Sequence, residues 1–204
     1  MPTEYQVFLN HKGRDSKNIL ASLIHGVLTD HFRLSVFLDK KEIRTGDQNI
    51  NAIEAAIQSA SVHITIFSES YAQSKWCLDE LCMILKSVHN SNKKIIPVFW
   101  DVEPSHLRHI ENGAYKAAFE KHKSKGRVSP AHIEEWKKAL KDASFLSGKL
   151  VKSKERWIHP LLISHFIYIY ISVQLFQILT MFNKSDLYVY LSFSVTYGRQ
   201  WKKL

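Results

Sequence analysis

Trp76 and Glu80 stand four residues apart in the run Ser74-Lys75-Trp76-Cys77-Leu78-Asp79-Glu80-Leu81. On a helix that spacing sets one above the other, so an aromatic plate and a carboxylate share a face. The run follows an apolar, strand-like stretch, Val62 to Phe67. The C-terminal end of a parallel strand is where open α/β sheets place their ligands. The same spacing also describes a helix whose tryptophan is core and whose acids are solvated. The elements around the pair must decide.

Four short runs rich in β-branched and aromatic residues recur: Tyr5 to Leu9, Ser35 to Leu38, Val62 to Phe67 and Ile95 to Phe99. Helical stripes alternate with them. Ile19, Leu23, Val27 and Leu28 form one, Ile53, Ala56, Ile57 and Ala60 a second, and Leu78, Leu81, Cys82, Leu85 and Val88 a third. Strands alternating with helices predict βαβ units and a parallel sheet, with strands apolar along their length because both faces are covered. Beyond Phe99, Ser105 is a candidate N-cap. Helical patterns follow at Tyr115 to His122 and Ile133 to Leu146, Gly148 reads as a C-terminal stop, and Leu150-Val151 as a short fifth edge strand.

Composition sets the outer bounds. The 204 residues are 45% hydrophobic and 23% charged, as in a globular domain with an appendage. The net charge is +9, with the densest basic patches at Lys121 to Arg127 and Lys149 to Arg156. No aromatic–basic groove accompanies them, so an ordinary solvated surface is preferred over a nucleic-acid site. Cys77 and Cys82, five apart, match no zinc or redox spacing, and the opening residues carry no secretory pattern. A reduced, cytoplasmic setting is the expectation. His106 and His109 lack a third ligand, so no metal is expected.

The tail differs from the rest. Leu161 to Phe182 contains no charged residue, yet His165, Gln174 and Gln177 interrupt it. About 20 apolar residues suffice to cross a bilayer. A membrane span, a buried helix and a non-native extension all stay open for this stretch, with a helix expected over 161–182.

The chain resembles a plant-type Toll/interleukin-1 receptor (TIR) domain, of the kind that opens many plant disease-resistance receptors. Four stretches in order carry the likeness: Tyr5 to Asp15, Phe37 to Gly46, Phe67 to Ala72 running into Ser74 to Leu81, and Ile95 to Phe99 with Asp101 to Ser105 behind it. The resemblance covers residues 4–152 and leaves 153–204 as a basic junction and an apolar, aromatic tail. It implies a flavodoxin-like, doubly wound α/β fold with about five parallel strands. It also implies an NAD nucleosidase that cuts the nicotinamide–ribose bond, yielding ADP-ribose or cyclic variants as defence signals upon self-association. NAD would be the substrate and no further cofactor is implied. A non-catalytic adaptor that pairs with other TIR domains is the alternative.

By the resemblance Glu80 is catalytic. The loop Lys12, Gly13, Arg14, Asp15, Ser16 and Lys17 grips the dinucleotide, and Gly46 lines the site. Ser74 and Trp76 join it, Trp76 as a stacking surface. Asp15 and Ser74 equally suit helix capping. One acid suffices because nicotinamide is already a cationic leaving group and the transition state resembles an oxocarbenium ion.

Three departures stand out. Lys12 replaces the family's usual arginine and loses its planar fork. Ser22-Leu23 stands where relatives carry a Ser-His pair used in self-association. After Val151 the family's last amphipathic helix gives way to the basic stretch Lys152 to Arg156, and no receptor domain follows, so a TIR-only protein is expected.

Overall fold

Five parallel strands form one sheet in the computed structural model, which describes residues 4–13, 18–38, 48–89 and 91–152. The strands are β1 (Val7–Asn10), β2 (Val36–Leu38), β3 (Val62–Ser68), β4 (Lys94–Trp100) and β5 (Lys149–Val151), in the order β2-β1-β3-β4-β5. Every pairing is parallel, with Val7 opposite Val36 and Val62, and Val62 opposite Lys94. All seven residues of β3 are buried, His63, Thr65 and Ser68 included, because a central parallel strand meets protein on both faces. The sequence placed five strands and this class of sheet, and the structure bears that out.

Six helices connect the strands: α1 (Asn18–Gly26), continued by a π-helical turn Val27–His31, α2 (Gln48–Ser59), α3 (Lys75–His89), α4 (Pro104–Arg108), α5 (Lys116–Ser124) and α6 (Pro130–Ala143). The register puts Phe8, His63, Phe67, Ile95 and Phe99 on one sheet face. There Phe8 packs with Ile53, Ala56 and Ile57 of α2, while Phe67 and Phe99 stack at 5.5 Å above a core that includes Leu78, Leu81 and Trp136. The stripe of α2 is buried as its spacing predicts; in α3 Leu78, Leu81 and Cys82 are buried, while Leu85 and Val88 are half-buried. In α1 the buried positions are Leu20, Ala21 and Ile24, followed by Leu28, with Leu23 and Val27 half-buried; the side chain of Ile19 lies outside the described residues.

Two punctuation marks fall elsewhere than expected. Glu103 occupies the N-cap of α4 and Pro104 its first turn, so Ser105 lies inside the helix. Proline suits that turn because its missing N–H has no intrahelical partner there anyway. Likewise α6 ends at Ala143 with Ser144 as its C-cap, and Gly148 serves the entry to β5 instead. A Cβ on Gly148 would come within 2.6 Å of both Phe99 Cε2 and Pro97 Cγ. Hydrogen there lets the chain close on β4. We expect Gly148→Ala to destabilise the fold by about 2 kcal/mol through overpacking, read as a lower urea midpoint.

Among the described residues no helix is long and apolar enough to cross a membrane. The stretch 161–182 lies outside them.

Candidate active site

The strand order reverses direction of growth between β1 and β3, since β2 lies on one side of β1 and β3, β4 and β5 on the other. A crevice opens at the carboxyl ends of strands at such a point. The residue that ends β1 is Asn10, fully buried, and the residue two beyond it is Lys12. After β3 a short 3-10 turn, Tyr71–Gln73, leads into α3. Ser74 stops that turn with an extended backbone and caps α3, its Oγ accepting from the Cys77 N–H at 3.4 Å. The chain therefore delivers the second turn of α3 to the tip of β1.

Two neighbouring acids, Asp79 and Glu80, ride on that turn about 100° apart around the helix. Their surroundings assign them different tasks. Asp79 faces α6: its Oδ1 accepts from the Trp136 indole at 2.9 Å and lies 2.6 Å from His132 Nε2, while its Oδ2 meets Lys75 at 3.2 Å. It fastens α3 to α6, and the Trp136 ring it holds is wholly buried. We expect Asp79→Ala to cost about 1–3 kcal/mol, because it strands a buried indole N–H. Asp79→Asn keeps an acceptor and should recover part of the loss in the same denaturation measurement.

Glu80 faces inward and is 3% exposed. A carboxylate so placed needs hydrogen-bond donors to offset its lost hydration. Asn10 supplies one: its Nδ2 donates to Glu80 Oε2 at 2.6 Å. The Tyr71 hydroxyl in turn donates toward Asn10 Oδ1 at 2.6 Å, sharing its proton with the Cys77 carbonyl at 2.9 Å. Donation into the amide oxygen fixes the amide orientation that offers its N–H to Glu80. The chain of bonds runs from phenol to amide to carboxyl, each member polarising the next. Burial, then the neighbouring Cys77 and Glu80, push the Tyr71 phenol well above its usual range, so it stays a donor.

A cavity of about 310 Å³ lies beside the start of α3, lined by Lys12, Gln73, Ser74, Lys75, Trp76, Ala118, Lys121, His122 and Lys125. Of the residues proposed from sequence, Lys12, Ser74 and Trp76 meet here. Glu80 does not line this cavity; it sits one turn further along α3, against β1. Gly13 is described but is not part of the wall. Arg14, Asp15, Ser16, Lys17 and Gly46 lie outside the described residues. Sequence reasoning assigned no role to Asn10, Tyr71, Gln73, Lys121, His122 or Lys125. Among the described residues no cluster of metal-binding side chains occurs.

The model for the TIR domain matches residues 4–162, which is more than half of the chain. The chain belongs to the TIR family. Tobacco mosaic virus (TMV) resistance protein N of Nicotiana glutinosa is 35% identical over 71% of the chain, which spans only 12% of that protein. A probable 2' cyclic ADP-D-ribose synthase, BdTIR of Brachypodium distachyon, is also 35% identical, over 72% of the chain and 59% of the relative. The chain thus spans less than two thirds of either protein. Among solved structures, a TIR domain of the activated Roq1 resistosome, which recognises the pathogen effector XopQ, superposes with a TM-score of 0.66. The two are 28% identical over 82% of this chain and 99% of that one. The TIR sheet and its helices are therefore the frame in which Glu80, Asn10 and Tyr71 sit.

Proposed function

We propose that this TIR domain is an NAD nucleosidase in plant defence signalling, with Glu80 as its catalytic carboxylate. The observation that carries the reading is the placement of Glu80: buried at the strand-order switch and held by Asn10, while the adjacent Asp79 is spent on α6. In the reaction the bond between ribose C1' and the nicotinamide nitrogen breaks. Both electrons go to the cationic ring, which leaves as neutral nicotinamide. The ribosyl cation left behind is captured by water, which gives up a proton, or by a hydroxyl of the same molecule to close a ring. A fixed carboxylate lowers the barrier by opposing the positive charge as it forms. Asn10 holds that carboxylate at one oxygen and is a positioning residue.

Hydrolysed and cyclised products both fit this chemistry, and BdTIR is named a probable 2' cyclic ADP-D-ribose synthase. Self-association and pairing with other TIR domains belong to the same proposal, in keeping with a neighbour drawn from a resistosome. So does a cytoplasmic setting, in keeping with two buried cysteines that are not joined in a disulfide. The non-catalytic adaptor is the second reading, favoured by the fact that Glu80 is not in the wall of the described cavity. Incubating the full chain with NAD, with the products resolved by mass, separates the two. Nicotinamide together with ADP-ribose or its cyclic isomer supports the nucleosidase. Intact NAD alongside binding to a receptor TIR domain supports the adaptor.

A further inference from the structure

The last turn of α2 contains no basic residue of its own, so its unpaired carbonyls are met from elsewhere. Lys93, in the segment before β4, reaches them. Its Nζ donates to Gln58 O at 2.5 Å and to Ile57 O at 3.3 Å, and also to Ser87 Oγ of α3 at 2.9 Å. His63 of β3 approaches the same end from the sheet, with Nε2 3.0 Å from Ile57 O. A carbonyl oxygen only accepts, so Nε2 carries the ring proton. Two donors from separate segments thus hold one end of one helix.

The other ring nitrogen has no such use: Nδ1 is buried without a hydrogen-bond partner. His63 is 0% exposed, on the sheet face that α2 covers, with the Phe8 ring 6.2 Å away. The groups that act on it are the Ile57 carbonyl of α2, the Lys93 ammonium and the Lys94 backbone at the start of β4. Lys93 is the charged one among them, and it repels a second cation. Burial lowers the ring's proton affinity most; the Ile57 backbone opposes this, Lys93 adds to it and the Lys94 backbone opposes it, with burial prevailing. An imidazole in the opened chain has the ordinary value of 6.5. Below that pH the opened form takes up a proton that the closed form does not. Stability from a neutral, buried His63 is therefore complete above about pH 6.5 and is lost as the pH falls toward the lowered folded value.

We propose that His63 is an acid-operated latch on α2, closed while its ring is neutral and opened by a proton. Lys93 is the fixed donor of the pair and His63 the titrating one. Lifting α2 exposes the ring to water at less cost than unfolding the sheet, so a local opening is what the proton selects. That opening also uncovers Phe8, in the strand that ends at Asn10. The latch stands apart from NAD cleavage, because its test reads no turnover. Native-state hydrogen exchange on the full chain at about pH 7.5 and about pH 5.5, corrected for intrinsic exchange, tests it. The amides at the end of α2 should lose about tenfold in protection, since one proton taken up by the opened form gives a decade per pH unit below 6.5. The amides of α6 should lose less. In His63→Gln, whose amide can donate to Ile57 O but takes up no proton, the loss in α2 should disappear. An equal loss in parent and variant, or one spread evenly over α2 and α6, overturns the proposal. Should the variant not fold, nitrogen-15 spectra of the parent's imidazoles decide alone. A His63 ring that stays neutral, protonated at Nε2, while the exposed histidines titrate supports the latch; one that titrates with them overturns it.

Discussion

Asn10→Ala should lower the stability of this TIR domain by about 3 kcal/mol, the upper end of the cost of leaving buried polar groups without a hydrogen-bond partner. The side chain it deletes serves two neighbours at once. Its Nδ2 donates to Glu80 Oε2 and its Oδ1 accepts from the Tyr71 hydroxyl, each at 2.6 Å. Alanine leaves the carboxyl without this donor and the phenol with the Cys77 carbonyl alone. A change of this size corresponds to a fall in melting temperature of roughly 10 °C for a domain of this length. Glu80→Gln is milder, since its amide oxygen can still accept from Asn10. A double-mutant cycle over the two positions should therefore show coupling well above the additivity error of about 0.5 kcal/mol. A melting temperature within a degree or two of the parent for Asn10→Ala would mean the buried bond contributes little.

The sheet was legible because β3 and β4 are predominantly apolar and β-branched or aromatic, as expected of parallel strands covered on both faces. The helix faces followed from periodicity, most cleanly in α2 and α3. Partners set by distant segments were not legible. A lone Asn10 at the end of an apolar run looks the same whether it is solvated or bonded to a residue 70 positions away. Tyr71 looks like any core aromatic until its hydroxyl is placed. Asp79 and Glu80 are chemically alike and adjacent, and only the position of Trp136 tells which one is spent. Lys121 to Arg127 was visible as a basic patch. That Lys121 and Lys125 share a wall with Lys12 depends on how α5 packs beside α3. Gly148 fits a helix stop by sequence alone, and contact with Pro97 of β4 reveals its real constraint.

Glu80→Gln should reduce nicotinamide release by about 100- to 1000-fold, the usual consequence of losing one preorganised electrostatic group at the reacting centre. Glutamine preserves the size of the side chain and an acceptor for Asn10, so the fold is retained and only the negative charge is lost. The charge matters because the departing nicotinamide leaves a ribosyl cation, which a fixed carboxylate opposes as it forms. The decisive measurement is the rate of nicotinamide release from NAD by the full chain and by Glu80→Gln at equal concentrations of folded protein. The account predicts turnover by the parent and a loss of at least about two orders of magnitude in the variant. Equal rates in the two proteins would contradict it.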